Sequence, residues 1–255
     1  MKGFLQEYGI IMVVVAVVLG MLAFGKSGFS KNIQEAILGS TNHIVETGEN
    51  ITDDLEVGTV IEVDGDNYIV MKKMGNGQYF MGTQRTVVKK NYQSFGRTDG
   101  RAQNTYENST IDNYLEKEWY PSLSTKMKNA IQPIQIKQSS YDLKNGKWSF
   151  KEDVPFGQTY NTLTRHAFVP SVEELSYIVD FSQPNKVRSY AQADYLWFRD
   201  SFYSNAKNAL NINMAGGTLN SYQVDWGEDY NGVRPSFVLN ISQVNYKKVG
   251  EVNYK

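Results

Sequence analysis

The chain has 255 residues, with 27 acidic against 26 basic side chains and a net charge of −1, so nothing electrostatic points to nucleic acid. It has no cysteine, which excludes disulfides, thiol catalysis and Cys-ligated zinc or iron–sulfur centres together. The 2 histidines, His43 and His166, are too far apart for a metal spacing, and 17 tyrosines among many Asn, Gln and Ser suit an exposed recognition surface.

In chain order the first element is the uncharged run GIIMVVVAVVLGMLAFG, Gly9 to Gly25. As a helix it covers about 26 Å, just short of a ~30 Å hydrocarbon core. Ile10, Ile11, five valines, Leu19, Leu22 and Phe24 favour insertion by roughly 3 to 6 kcal/mol, with no charge opposing them. The run predicts a transmembrane helix within residues 1–25 and a single-pass cell-membrane protein with its large domain extracellular. A cleaved secretory signal is the competing reading. Ala23-Phe24-Gly25 has the small-x-small form of a cleavage site behind Lys2, whereas Glu7 sits where positive charge is expected. Lys2 against Lys26 and Lys31 does not fix orientation by charge alone.

Gly3-Phe4-Leu5-Gln6-Glu7-Tyr8-Gly9, leading straight into that run, resembles the N-terminus of type IV and Tad-type pilins. The resemblance implies processing after Gly3 and an assembly role for Glu7. Cleavage there makes Glu7 the fourth mature residue, whereas those pilins usually carry it fifth. Glu7 would either neutralise the new amino terminus of a neighbouring pilin-like subunit, in a bundle where an unpaired charge is costly, or lie among lipid headgroups. Residues 26–50 continue as an amphipathic helical stalk, with Ile33, Ile37, Leu38 and Ile44 at helical spacing and a hinge at Thr47-Gly48-Glu49-Asn50.

Residues 51–255 read as one α+β ectodomain. From Val57 the pattern has period two, interrupted by Asp64-Gly65 and Gly75-Asn76-Gly77, which predicts a three-stranded meander ending at Gln78–Thr83. Ser109 with Asp112 resembles a capping box ahead of a helix that puts Ile111, Tyr114, Leu115 and Trp119 on one face and ends at Pro121. Ser124 caps a short successor stopped by Pro133. Ser171 and Glu174 begin another helix. Short strands are predicted at His166–Val169, Tyr195–Arg199, Ala209–Met214 and Val233–Ile241, with long polar loops between elements.

Four segments in this order carry a second resemblance: GTVIEVDGDNYIVMKK, STIDNYLEKEWYPSLSTKMKNAI, AFVPSVEEL, and YLWFRD followed by NGVRPSFVLNIS. Spanning about residues 57 to 242, they resemble an uncharacterised Gram-positive bacterial domain family with a C-type-lectin-like fold. The related formylglycine-generating sulfatase activators carry a similar Gly-x-Arg-Pro strand. This sequence departs from the family at Asp200, where Ser is usual, and at Trp197-Phe198, where paired tryptophans are common. The activators depend on cysteine or copper–thiol chemistry, which this chain lacks the residues to perform.

Other chemistry is weakly supported. No Gly-x-Ser-x-Gly elbow accompanies either histidine, so a Ser/His/Asp hydrolase has no framework. Asp225, Glu228 and Asp229 would serve a glycosidase or, with Asn231, a calcium site, but a solvated acidic loop is the better explanation. No cofactor is otherwise expected. Arg199 and Arg234, each among apolar neighbours, are expected to be buried in structural ion pairs, Arg234 with Glu173 or Glu174; a ligand-binding arginine is the alternative. The segment from Asp200 to Asn231 is the candidate binding loop, with Tyr203, Tyr222, Asp225, Trp226, Asp229 and Tyr230 as candidate contacts. The expectation is a non-enzymatic adhesin binding a glycan or protein. A minor pilin-like subunit of a filament and an extracytoplasmic hydrolase are the alternatives.

Overall fold

The computed structural model describes residues 54–94, 97–153, 155–226 and 230–255. The apolar run, the stalk and the pilin-like Gly3 and Glu7 lie outside the described residues, and among the described ones no helix is long and apolar enough to cross a membrane.

The meander forms as its turns demand. β1 (Thr59–Val63) and β2 (Asp66–Gly75) are joined by Asp64 and Gly65 at φ 54° and 90°, and β3 (Gln78–Thr83) follows Asn76 and Gly77 at 52° and 71°. The chain then lays down β4 (Val88–Lys89), α1 (Thr110–Tyr114), a π-helical turn (Leu115–Trp119), α2 (Tyr120–Ser122) and α3 (Thr125–Ala130). Next come β5 (Ile131–Gln132), β6 (Ile134–Lys137), β7 (Ser140–Lys144), β8 (Lys147–Lys151) and β9 (Thr162–Arg165), then α4 (Val172–Leu175) and α5 (Pro184–Ala191). The last strands are β10 (Tyr195–Phe202), β11 (Asn208–Asn213), β12 (Thr218–Gln223), β13 (Asn231–Val233), β14 (Ser236–Asn240) and β15 (Lys247–Glu251). The architecture is α+β, dominated by sheet.

One sheet is antiparallel, in the order β15-β1-β2-β3-β14-β5. The other runs β12-β11-β10-β13-β4 and is mixed, with β13 and β7 both parallel to β10 and β8 beside β7. One continuous hydrophobic core joins them, with Tyr68 edge-on to Phe237 at 5.3 Å and Tyr92 edge-on to Trp197 at 5.5 Å.

Three expectations need correction. The strand predicted over Val233–Ile241 is two strands in different sheets, because Pro235 has no N–H to continue a ladder and the chain changes sheet there. His166–Val169 is not a ladder strand. Glu116 Oε1 takes the N–H groups of His166 and Ala167 at 2.7 and 2.9 Å, leaving Phe168 a single bridge to Ser236. The Asp200–Asn231 segment is no open loop: the β11–β12 hairpin occupies half of it.

The turn of that hairpin packs on the start of α5. A Cβ on Gly217, at φ 61°, would lie 2.3 Å from the Pro184 carbonyl oxygen. Gly217→Ala is therefore expected to cost about 2 kcal/mol, read as a lower urea midpoint. Gly216→Ala, whose Cβ comes no nearer than 3.1 Å to the Thr218 hydroxyl and 3.8 Å to the Asn213 side chain, should cost less.

Candidate functional site

Between the β1–β2 turn, the β3–β4 connection and the first helical segment lies a cleft of about 530 Å³. The helix supplies an aromatic wall, Tyr114 and Trp119. On a regular α-helix residues five apart diverge by about 140°. The i→i+5 turn at Leu115–Trp119 removes most of that divergence, so both rings reach the cleft. Ser109 sets the helix start by accepting from Asp112 N at 3.1 Å, and the Asp112 carboxylate is clamped by Arg165 at 2.7 and 2.8 Å. Trp119 rests on Phe237, centroids 5.9 Å apart, so its position is fixed by the core.

The opposite wall is polar and comes from paired strands. Asn67 Nδ2 donates to Gln84 Oε1 at 3.1 Å, and the Gln84 N–H donates to the Asn67 carbonyl at 3.0 Å. Arg85 is exposed and makes no ion pair among the described residues. Thr86 donates to Asp194 at 2.6 Å, and Asp194 also meets Lys89 at 3.4 Å, which ties this wall to the end of α5. Burial, with Glu118 adding, pushes the Tyr114 phenol above its ordinary value, so it is a neutral hydroxyl at physiological pH. The arrangement offers ring faces on one side and hydrogen-bonding groups with an exposed guanidinium on the other.

The residues predicted from sequence do not form one patch. Tyr203 follows the end of β10, whereas Tyr230 precedes Asn231, which pairs with Tyr195 at the start of β10. Eight residues of strand separate those levels, on the order of 26 Å. Tyr203 donates to Asp153 and lies under Lys151, 5.7 Å from its ring centroid. Tyr222 sits in β12, packed near Trp197 at 6.4 Å. Asp225 is half-buried, and Trp226 and Tyr230 are each 61% exposed. Asp229 and Glu228 lie outside the described residues. Asn231 is turned inward, its Oδ1 accepting from Asn211 at 2.7 Å.

The chain next to Tyr230 is tied to the segment after β4. Lys90, just after that strand, donates its N–H to Asn231 O at 3.1 Å and holds its ammonium 5.1 Å from the Tyr114 ring centroid. Sequence reading missed Asn67, Gln84 and Arg85 because they look like ordinary turn-flanking polar residues. Their function as a wall depends on the β2–β3 pairing.

Both arginines are buried. Arg199 pairs with Glu174 through two contacts of 2.6 Å. Arg234 has a different partner from the one expected. It donates to the carbonyls of Tyr190 and Ala191 at 2.6 and 3.3 Å and lies 4.8 Å from the Tyr190 ring centroid. Those carbonyls close α5, so the negative end of a helix and a ring face stand in for a carboxylate. His166 stacks on Tyr120 at 4.4 Å, beside Glu116.

Residues 67–241, more than half of the chain, match the family described as a domain of unknown function, DUF6273. No curated protein and no solved structure matches.

Proposed function

The chain belongs to the DUF6273 family, and we propose that within it this protein is a membrane-anchored, extracytoplasmic binding protein whose lectin-like head takes a glycan in the cleft. The observation that carries this reading is the pairing of the Tyr114 and Trp119 rings with the polar wall of Asn67, Gln84 and Arg85. The apolar faces of a sugar ring stack on aromatic side chains while its hydroxyls require amide and guanidinium partners. Tyr230, exposed next to Asn231, whose carbonyl accepts from Lys90 N just after β4, would extend the contact to a longer oligosaccharide. Anchorage rests on the Gly9–Gly25 run.

The test is a glycan array probed with the full chain in detergent. Binding to a defined glycan class is expected, with Tyr114→Ala and Arg85→Ala each weakening it about tenfold. Retention of no glycan, or binding indifferent to both substitutions, sinks the reading. Anchorage is tested separately: in intact protoplasts the head should be digested by added protease, and a shielded head reverses the topology.

A further inference from the structure

The hairpin β7–β8 has its polar face inward and its apolar face outward. In its register Tyr141 opposes Phe150 and Leu143 opposes Trp148 on one face, while Ser140, Asp142, Ser149 and three lysines share the other. The inward side is sealed by polar bonds. Ser140 is 2.7 Å from the Ser201 hydroxyl, and Asp142 accepts from Ser204 at 2.6 Å. The outward side leaves Leu143 43% and Phe150 52% exposed. Trp148 meets Phe202 at 5.9 Å and Phe150 meets Tyr141 at 5.7 Å; Tyr141 and Trp148 are half-buried against the core, so the uncovered part of the stripe is Leu143 and Phe150.

β8 is also an open edge, pairing with β7 alone among the described residues. Asn145 and Gly146, at φ 51° and 74°, make the two-residue turn whose closing pair, Lys144 and Lys147, is hydrogen-bonded. Bonded pairs alternate along an antiparallel ribbon, so the N–H and C=O groups of Trp148 and Phe150 point to the open edge.

The charges decide what fits there. Lys144 and Lys147 face each other directly; Lys144 has the Asp142 carboxylate 4.0 Å away, whereas Lys147 makes no ion pair among the described residues and is the one left for a partner's anion. Lys151 lies on the same face, two pairs further along. A second copy of the chain is disfavoured, because antiparallel pairing of β8 about Ser149 sets Lys147 against the other copy's Lys151. A lipid surface would meet the rings or the lysines, which lie on opposite faces, and would leave the edge N–H and C=O groups without partners.

We propose that the open edge of β8 docks an extended acidic segment of a protein partner, added as a further strand. Acidic side chains would stand opposite Lys147 and Lys151 and apolar ones opposite Trp148 and Phe150, so the partner reads acidic–apolar–any–apolar–acidic. Main-chain bonds supply affinity, and the alternating side chains supply selection. The proposal is independent of the glycan reading, since this face and the cleft share no residue.

The probe is the labelled heptapeptide Gly-Glu-Val-Thr-Val-Glu-Gly, with its Lys-for-Glu counterpart, titrated against the full chain in nanodiscs by fluorescence anisotropy. The acidic peptide should bind at least about tenfold more tightly than the basic one. The double variant Lys147→Glu, Lys151→Glu should reverse that preference, and its substitutions, being on exposed or half-exposed side chains, leave the fold intact. Backbone N-methylation of the two valines, tested alongside N-methylation of their neighbours, should abolish binding in one of the two registers. Equal affinity for both peptides, no binding at millimolar concentration, or binding insensitive to N-methylation in both registers overturns the proposal. So does capture of anionic vesicles through the lysines with no peptide affinity.

Discussion

Glu174→Ala is expected to destabilise the domain by about 4 kcal/mol, the scale for leaving one partner of a buried ion pair alone. Arg199 is 4% exposed, and Glu174 accepts from both of its terminal nitrogens at 2.6 Å. Its remaining donors go to the carbonyls of Lys137 and Val169 at 2.9 and 3.1 Å, and Phe168 lies 5.3 Å away. Those carbonyls bring no full charge to balance the guanidinium once the carboxylate is gone. Glu174 also accepts from Ser171 N at 2.9 Å, closing the capping box of α4, so the substitution loosens the helix start as well. In a domain of this size the loss corresponds to a melting temperature lower by on the order of 10 °C. Calorimetry on the full chain reads it. Replacing both partners, Glu174→Met with Arg199→Met, should recover most of the loss, because no buried charge is then left unpaired. A single variant melting within a degree or two of the wild type would mean that the pair contributes little.

The contrast between the two arginines marks the limit of what was legible. The capping signature Ser171…Glu174 is local and could be read directly, as could the meander, whose Asp64-Gly65 and Asn76-Gly77 turns require positive φ. The partner of Arg234 is the end of α5, a helix opening on Pro184 that the pattern reading passed over. A burial argument says only that a guanidinium needs negative charge density, not that carbonyls will provide it. The β7–β8 hairpin carried a plain signal, Asn145-Gly146, that went unread because its alternation runs the wrong way round. The cleft was least legible. Asn67 and Gln84 lie 17 residues apart and meet only through strand register, while Tyr114 and Trp119, placed on one helical face by their spacing, reach the cleft together through a π-turn that the spacing does not announce. The loop aromatics were conspicuous in sequence. The fold scatters them along β10, and only Trp226 and Tyr230 stay prominent at the surface.

Stability is expected to fall as pH rises from about 4 to about 7, and Asp200→Asn should remove that fall. Asp200 neighbours Arg199 in sequence, but its own side chain is fully buried, and burial outweighs the arginine's pull, pushing the carboxyl up from 3.8 to about 7. Its Oδ2 accepts from Val172 N at 2.6 Å, which anchors α4 to β10, while its Oδ1 has no partner among the described residues. A carboxyl whose folded value lies above its unfolded value binds its proton more tightly in the folded state. Its contribution is complete below about pH 4, shrinks as pH climbs, and is gone above about pH 7. At 1.36 kcal/mol per unit, the difference across that window is roughly 4 kcal/mol. An asparagine keeps the acceptor for Val172 and carries no charge to bury. Asp200→Asn should therefore match the wild type near pH 4 and exceed it near pH 8 in urea midpoint. Parallel pH profiles for the two proteins would show that Asp200 keeps an ordinary carboxylate in the folded chain, solvated by water that reaches β10.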